Sequence, residues 1–201
     1  MRTFFRNVNL ECSAIPPKCS NEKEVMKTFI ILLRGVTPTG KNKVLMAPLR
    51  AALDKAGLGN VRTYIQSGNL IATSSLSQFR LEKLVHDVIE NNFGGDITVI
   101  ARTAEKFKDI MKKNPFARAE KSRLYFSLLA PRPDSKLIKE FLSIDFSPDR
   151  VQVVDDAIYT LYATKYSDSK FNNNFFERKL KIAATTRNFN TMAKLVELSS
   201  A

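Results

Sequence analysis

From Met26 onward the chain reads strand, helix, strand, strand, helix, strand, with a short glycine-containing turn between the two middle strands, and the run after residue 103 repeats part of that order. These observations predict an α+β fold of two ferredoxin-like (split β-α-β) domains with antiparallel sheets and a helical C-terminal tail. Strands joined by a tight turn pair antiparallel, and parallel strands need a crossover such as a helix. The boundaries are an N-terminal extension over residues 1–25, expected to be disordered, a first domain over 26–103 and a second over 104–201.

Each element follows from its pattern. "KTFIILLRG" is a continuous apolar run of strand length, and "VLMAPLRAALDKAG" has helical apolar spacing and stops at Gly57. "NVRTYIQ" and "NLIATSS" are β-rich runs joined at Ser67-Gly68, a hairpin signal. "LSQFRLEKLVHDVIENNF" repeats the helical period with Leu81, Leu84, Val85, Val88 and Ile89 on its apolar stripe, ends at Gly94-Gly95 and leads into the strand "DITVIAR". The second half reads helix "TAEKFKDIMKKN", strand "RLYFSLLA", helix "PDSKLIKEFLS", strands "RVQVVD" and "AIYTLYA" about an Asp155-Asp156 turn, and then the helical tail.

A hydrophobic content of 44% with 26% charged residues suits a globular protein. No apolar run approaches the roughly 20 residues of a membrane span, and the N-terminus lacks a signal-peptide core, so a cytoplasmic location is expected. The extension shows no periodicity, and a start at Met26 is an open alternative. Both cysteines, Cys12 and Cys19, lie in it, so no thiolate metal site or cysteine nucleophile is expected in the folded body, and a disulfide between them is not expected in a reducing compartment. The single histidine, His86, falls on the polar face of its helix with Glu82, Lys83 and Glu90. A net charge of +12 points to an anionic partner or simply to a basic surface.

The stretch "GVTPTGKNK" nearly matches a phosphate-binding loop, but Asn42 stands where that loop has a hydroxyl for magnesium, and a hairpin follows where parallel strands are needed. Connectivity still makes a site. The right-handed crossover makes the first two strands parallel, so the loop after the first strand, the hairpin turn and the loop before the fourth strand share one end of the sheet. Arg34, Gly40, Lys41, Asn42 and Lys43 come from the first of these and Gln66, Ser67 and Asn69 from the second. Two readings stand open: an anion cradle at a helix N-terminus, or glycine turns at Gly35, Gly40 and Gly68 with Asn42 capping the helix. The tail "SDSKFNNNFFERKLKIAATTRNFNTMAKLVEL" divides likewise between capping residues, with Asn174 and Glu177 spaced as a capping box and Asn188 or Asn190 before the last helix, and a polar network or ligand site that includes Arg187.

"LLRGVTPTGKNKVLMAPLRAALDKAGLGNVRTYIQSGNLI", "KNPF" at Lys113–Phe116, "FSPDRV" at Phe146–Val151 and "SKFNNNFFERKLKIAATTRNFNTMAKL" resemble the conserved hypothetical bacterial proteins grouped as domain-of-unknown-function family 1697. The resemblance covers nearly everything from Met26 to Leu198. It implies two ferredoxin-like domains in a cytoplasmic protein, and no established activity, cofactor or catalytic residue. Val36-Thr37 and Thr39 depart from the family's usual Ile-Asn and glycine, and Phe189 keeps an aromatic where members carry tryptophan.

Three functions remain open from sequence. An anionic small molecule would be held by Arg34, Gly40, Lys41, Asn42, Lys43, Gln66, Ser67, Asn69 and Arg187, with or without catalysis. A weakly sequence-specific nucleic-acid-binding module would use the charge excess, although "NLIATSS" offers no stacking aromatic. A scaffold role would use Phe175, Phe176 and Phe189, which read equally as core. No metal is expected, and cofactor and oligomeric state are not specified by the sequence.

Overall fold

The computed structural model describes residues 25–37, 39–40 and 42–200. The extension up to residue 24, both cysteines and Lys41 lie outside the described residues.

The first half runs β1 (Lys27–Leu33), α1 (Met46–Lys55), β2 (Gly59–Tyr64), β3 (Asn69–Ser74), α2 (Gln78–Phe93) and β4 (Val99–Thr103). The second runs α3 (Ala104–Lys112), β5 (Leu124–Ala130), α4 (Ser135–Leu142), β6 (Arg150–Val154), β7 (Ala157–Leu161), α5 (Asn173–Leu180), β8 (Ala183–Asn188) and α6 (Phe189–Ser199). The sheets have the orders β2-β3-β1-β4 and β6-β7-β5-β8, and every pairing of named strands is antiparallel. This is the predicted split β-α-β arrangement twice over.

One element differs from the expectation. Ala183–Asn188, read from sequence as part of a helical tail, is the strand β8 paired along β5 from Tyr125↔Asn188 to Ala130↔Ala183. "AATTRN" carries little apolar signal, because its outward polar groups are satisfied locally. Thr186 Oγ1 donates to Asn173 Oδ1 and meets Ser127 Oγ, while Asn173 Nδ2 donates to the Ala184 carbonyl. The asparagine-rich stretch is therefore a polar network that pins α5 to the sheet.

Side-chain alternation sorts the strands into three cores. Phe29, Ile31 and Leu33 of β1 pack with Leu49 and Leu53 of α1 and Leu81, Val85 and Ile89 of α2 on one face of the first sheet. Leu129 and Ile158 pack with Phe141 of α4 and Phe176 and Leu180 of α5 on the far face of the second. The remaining faces share one core: Ile30, Leu32 and Ile100 from the first sheet and Phe126, Leu128 and Tyr159 from the second, with Phe107 and Ile110 of α3 and Met192 and Leu195 of α6. Because β1 is buried on both faces from Phe29 on, its sequence there is continuously apolar instead of alternating.

Helix ends confirm some local readings and correct others. Ser77 caps α2 through Arg80 N, Gly94 closes it in the left-handed conformation, and Asn188 Oδ1 caps α6 through Thr191 N. Asn42 is not the cap of α1. That helix begins after Leu45 with no side-chain cap, and Asn42 Nδ2 turns back to the Gly35 carbonyl at 3.4 Å. Nor do Asn174 and Glu177 form a capping box; Asn172 caps α5, and the other two reach across to the first half.

Candidate functional site

The end of the first sheet assembles as connectivity predicts. Leu33 N–H donates to the Gly68 carbonyl and Arg34 N–H to the Thr98 carbonyl, tying together the loop after β1, the hairpin turn and the approach to β4. The glycines supply the turns: Gly35, Gly40 and Gly68 have φ of 74°, 83° and 73°.

The arginines at this end face protein. Arg34 donates from Nε and Nη2 to both carboxylate oxygens of Glu177, at 3.1 and 2.9 Å, and from Nη2 to Asn174 Oδ1. Hydrogen bonding to Glu177 holds the Arg34 pKa above its ordinary value. Burial alone would push the Glu177 carboxyl up, but the Arg34 bond and the Ala184 amide outweigh it and leave that carboxyl below the usual range. Arg187, on β8, is partly exposed as a residue while its guanidinium is enclosed. It donates to Asn69 Oδ1, Thr185 Oγ1 and the carbonyls of Leu33, Ser67, Gly68 and Thr186. Burial pushes it down to about 10, so it stays charged at neutral pH.

The other predicted residues are mostly occupied as well. Asn69 is fully buried and also donates to Ser67 Oγ and the Tyr64 carbonyl, and Gln66 Nε2 donates to the Val44 carbonyl. Thr37 N–H and Lys43 N–H close the loop on the Asn42 and Gly40 carbonyls. Of the charged side chains among the described residues of this loop, Lys43 is the one that stays exposed and without an ion pair.

A second crevice has the same construction. Arg102, on β4, donates from Nη2 to the Leu129 carbonyl, from Nη1 to the Ala101 carbonyl and from Nε to Asp156 Oδ2. Arg187 uses the same nitrogens on the matching partners: Nη2 on Leu33, Nη1 on the preceding carbonyl of Thr186 and Nε on Asn69 beside the opposite hairpin. Leu129 N–H donates to the Asp156 carbonyl as Leu33 N–H does to Gly68. Each half thus sends the arginine of its last strand into the other half, at the end of the first strand and its hairpin turn. Arg102 is followed by Thr103, which caps α3, and Arg187 by Asn188, which caps α6.

The second crevice is open to solvent. It is a cleft of about 640 Å³ lined by Arg102, Lys106, Lys113, Arg132, Asp155 and Asp156, with Gln78 and Pro131 completing the wall. Lys113 Nζ lies 2.6 Å from Asp155 and Lys106 Nζ 3.5 Å from Asp156. Hydrogen bonding within the first pair raises the lysine pKa and lowers that of the carboxyl. These residues are absent from the sequence-derived site, because the helix "TAEKFKDIMKKN" and the Asp155-Asp156 turn carry no ligand-binding motif of their own. The signal that locates them is the repeated strand–arginine–cap–helix pattern, "ARTAEKF" and "TRNFNTM".

His86, Asp87 and Glu90 bring ligand atoms within 4.8 Å of one another on α2. Lys83 binds Asp87, and Asp96 holds His86 at 3.1 Å and raises its pKa.

The model of a family described as "Protein of unknown function (DUF1697)" matches residues 26–159. The chain belongs to this family. Among solved structures, the conserved bacterial protein SP0830 from Streptococcus pneumoniae is similar, with a TM-score of 0.71 at 24% identity over 87% of this chain and 99% of that one. That likeness supports the fold. No curated protein matches the chain. Among the described residues, no helix is long and apolar enough to cross a membrane.

Proposed function

We propose that the protein binds a small anionic molecule, phosphorylated or carboxylated, in the crevice of Lys106, Lys113 and Arg132. The observation that carries this reading is the charge of the wall: Arg102, Lys106, Lys113 and Arg132 against Asp155 and Asp156 in one cleft of about 640 Å³, a size ordinary for small ligands. Arg102 is held by protein oxygens, so the working cations are the other three. Lys106 and Lys113 are roughly half exposed on flexible stems, and Arg132 stands exposed just after β5 with no salt bridge among the described residues. Lys113 and Arg132 can turn to an incoming anion without breaking a buried contact, whereas Lys106 leaves the enclosed Asp156 Oδ1 when it turns. At the opposite crevice Arg187 is enclosed and Arg34 is bound to Glu177 and Asn174, which leaves Lys43, with Lys41 outside the described residues, as a weaker anchor.

The net charge of +12 also suits nucleic acid. An RNA-recognition fold stacks bases on the sheet face away from its two helices. Here that face is buried in both halves, by Ile30, Leu32, Phe126 and Tyr159 among others, so such binding would rest on phosphates and fade with salt.

Thermal unfolding with inorganic phosphate tests the proposal, since a ligand at 100 times its dissociation constant stabilises by about 2.7 kcal/mol. A phosphate-dependent rise in melting temperature is expected for the natural sequence, reduced by Arg132→Ala and by Lys113→Ala. No rise, or a rise untouched by either substitution, contradicts it.

A further inference from the structure

We infer that the ligand of this crevice carries hydroxyl groups beside its anionic group, as a sugar phosphate does. The inference rests on the anion reading above and narrows the class of ligand.

A pocket for a bare anion gains nothing from carboxylates on its wall, because each repels the ligand. This one has two, both on the β6–β7 turn. Asp156 is explained by the clamp, since its Oδ2 receives Arg102 Nε at 2.8 Å. Asp155 is not. It takes no part in the bonds of Arg102, and the matching hairpin at the other crevice, built on Ser67 and Gly68, serves Arg187 with backbone carbonyls and an amide and no acid. Asp155 also sits at φ 54°, a left-handed conformation in which aspartate is tolerated and which places it on the cleft wall with 40% of its side chain exposed.

The second carboxylate adds to the case. Asp156 Oδ1 is enclosed and makes no hydrogen bond of its own, with Lys106 Nζ at 3.5 Å as its cationic neighbour. When Lys106 turns toward a bound anion, that oxygen loses its cationic neighbour, and an unmet buried acceptor is costly; Lys113 turning in the same way frees the partly exposed Asp155. Hydroxyls meet the need better than an ammonium group does. The carboxylates already have Lys106 and Lys113 beside them, so a further cation would meet a wall that is net positive, whereas a hydroxyl donates without adding charge. Gln78 also lines the cleft; its Nε2 donates to Glu82 Oε1, which leaves its carbonyl oxygen to accept from such a group.

Calorimetric titration with glucose 6-phosphate, inorganic phosphate and glucose, on the natural sequence and on Asp155→Ala, separates the claims. Glucose 6-phosphate is expected to bind at least about tenfold more tightly than phosphate, in keeping with what sites built to bond a hydroxyl achieve. Asp155→Ala is expected to weaken glucose 6-phosphate by about that factor while phosphate binds as well or better, because a repelling charge has gone. Equal affinity for the two anions in the natural sequence overturns the inference and leaves the anion reading standing, as does an equal loss of both in Asp155→Ala. Glucose binding as tightly as its phosphate overturns both, and so does the absence of binding by either anion.

Discussion

Arg102 and Arg187 show how a single residue type joins the two halves. A guanidinium offers five donors in a fixed fork, and here the fork reaches carbonyls that the ends of β1 and β5 leave unpaired. A lysine at either position would satisfy fewer of those acceptors from a point charge. Arg187→Ala is expected to destabilise by about 3 kcal/mol or more, because several enclosed oxygens lose their donor. Arg102→Ala is expected to cost about 3–5 kcal/mol by leaving the Asp156 carboxylate buried without its partner; chemical denaturation measures both. The partly exposed Arg34–Glu177 pair contributes less, about 1 kcal/mol. The Glu177 carboxyl is depressed in the folded state, so its contribution is present above the unfolded value near 4.5 and is lost as pH falls through the lower folded value. Glu177→Gln should therefore be less stable than the natural sequence at neutral pH, with the gap closing under acid. Connectivity placed Arg34 and Asn69 at one end of the sheet, and the polar tail contributed Arg187. What sequence could not supply was the distant partners of the two arginines, which lie 118 to 154 residues away and turn would-be ligand groups into clamps.

At the level of elements, legibility followed burial pattern. β1, α1, α2 and β7 announce themselves because a continuous or periodic apolar run has one cheap solution. β8 does not, since its threonines and Arg187 are satisfied by Asn173, Ser127 and the other half instead of by burial among apolar side chains. The hairpin turn of the first sheet was legible through Gly68, and its packing gives that residue a second constraint. A Cβ there would lie 2.7 Å from Leu33 Cβ while φ is 73°. Gly68→Ala is expected to cost about 2–4 kcal/mol from backbone strain and overpacking together, read as a fall in denaturation midpoint. Because Arg187 donates to the Gly68 and Ser67 carbonyls, that substitution and Arg187→Ala should be non-additive.

For the molecule as a whole, the decisive feature is the shared core. α3 and α6 fill the space between the inward faces of the two sheets, so Ile30, Leu32 and Ile100 of the first half are covered only in the presence of the second. The division at residue 103 read from sequence follows the sheets and not the cores. Unfolding is therefore expected to be one cooperative transition, with calorimetric and van't Hoff enthalpies equal; two separated transitions would show that the halves stand alone. The same joining produces two like-built crevices, one with Arg34 and Arg187 bound to protein oxygens and one with Lys106, Lys113 and Arg132 around the Arg102 clamp. An amide NMR titration with inorganic phosphate tests that asymmetry most directly. Shifts are expected to centre on Lys106, Lys113, Arg132 and Asp155, with Gly40 and Lys43 unmoved; shifts centred on Gly40 and Lys43 with the second crevice silent would place the anion at the other end.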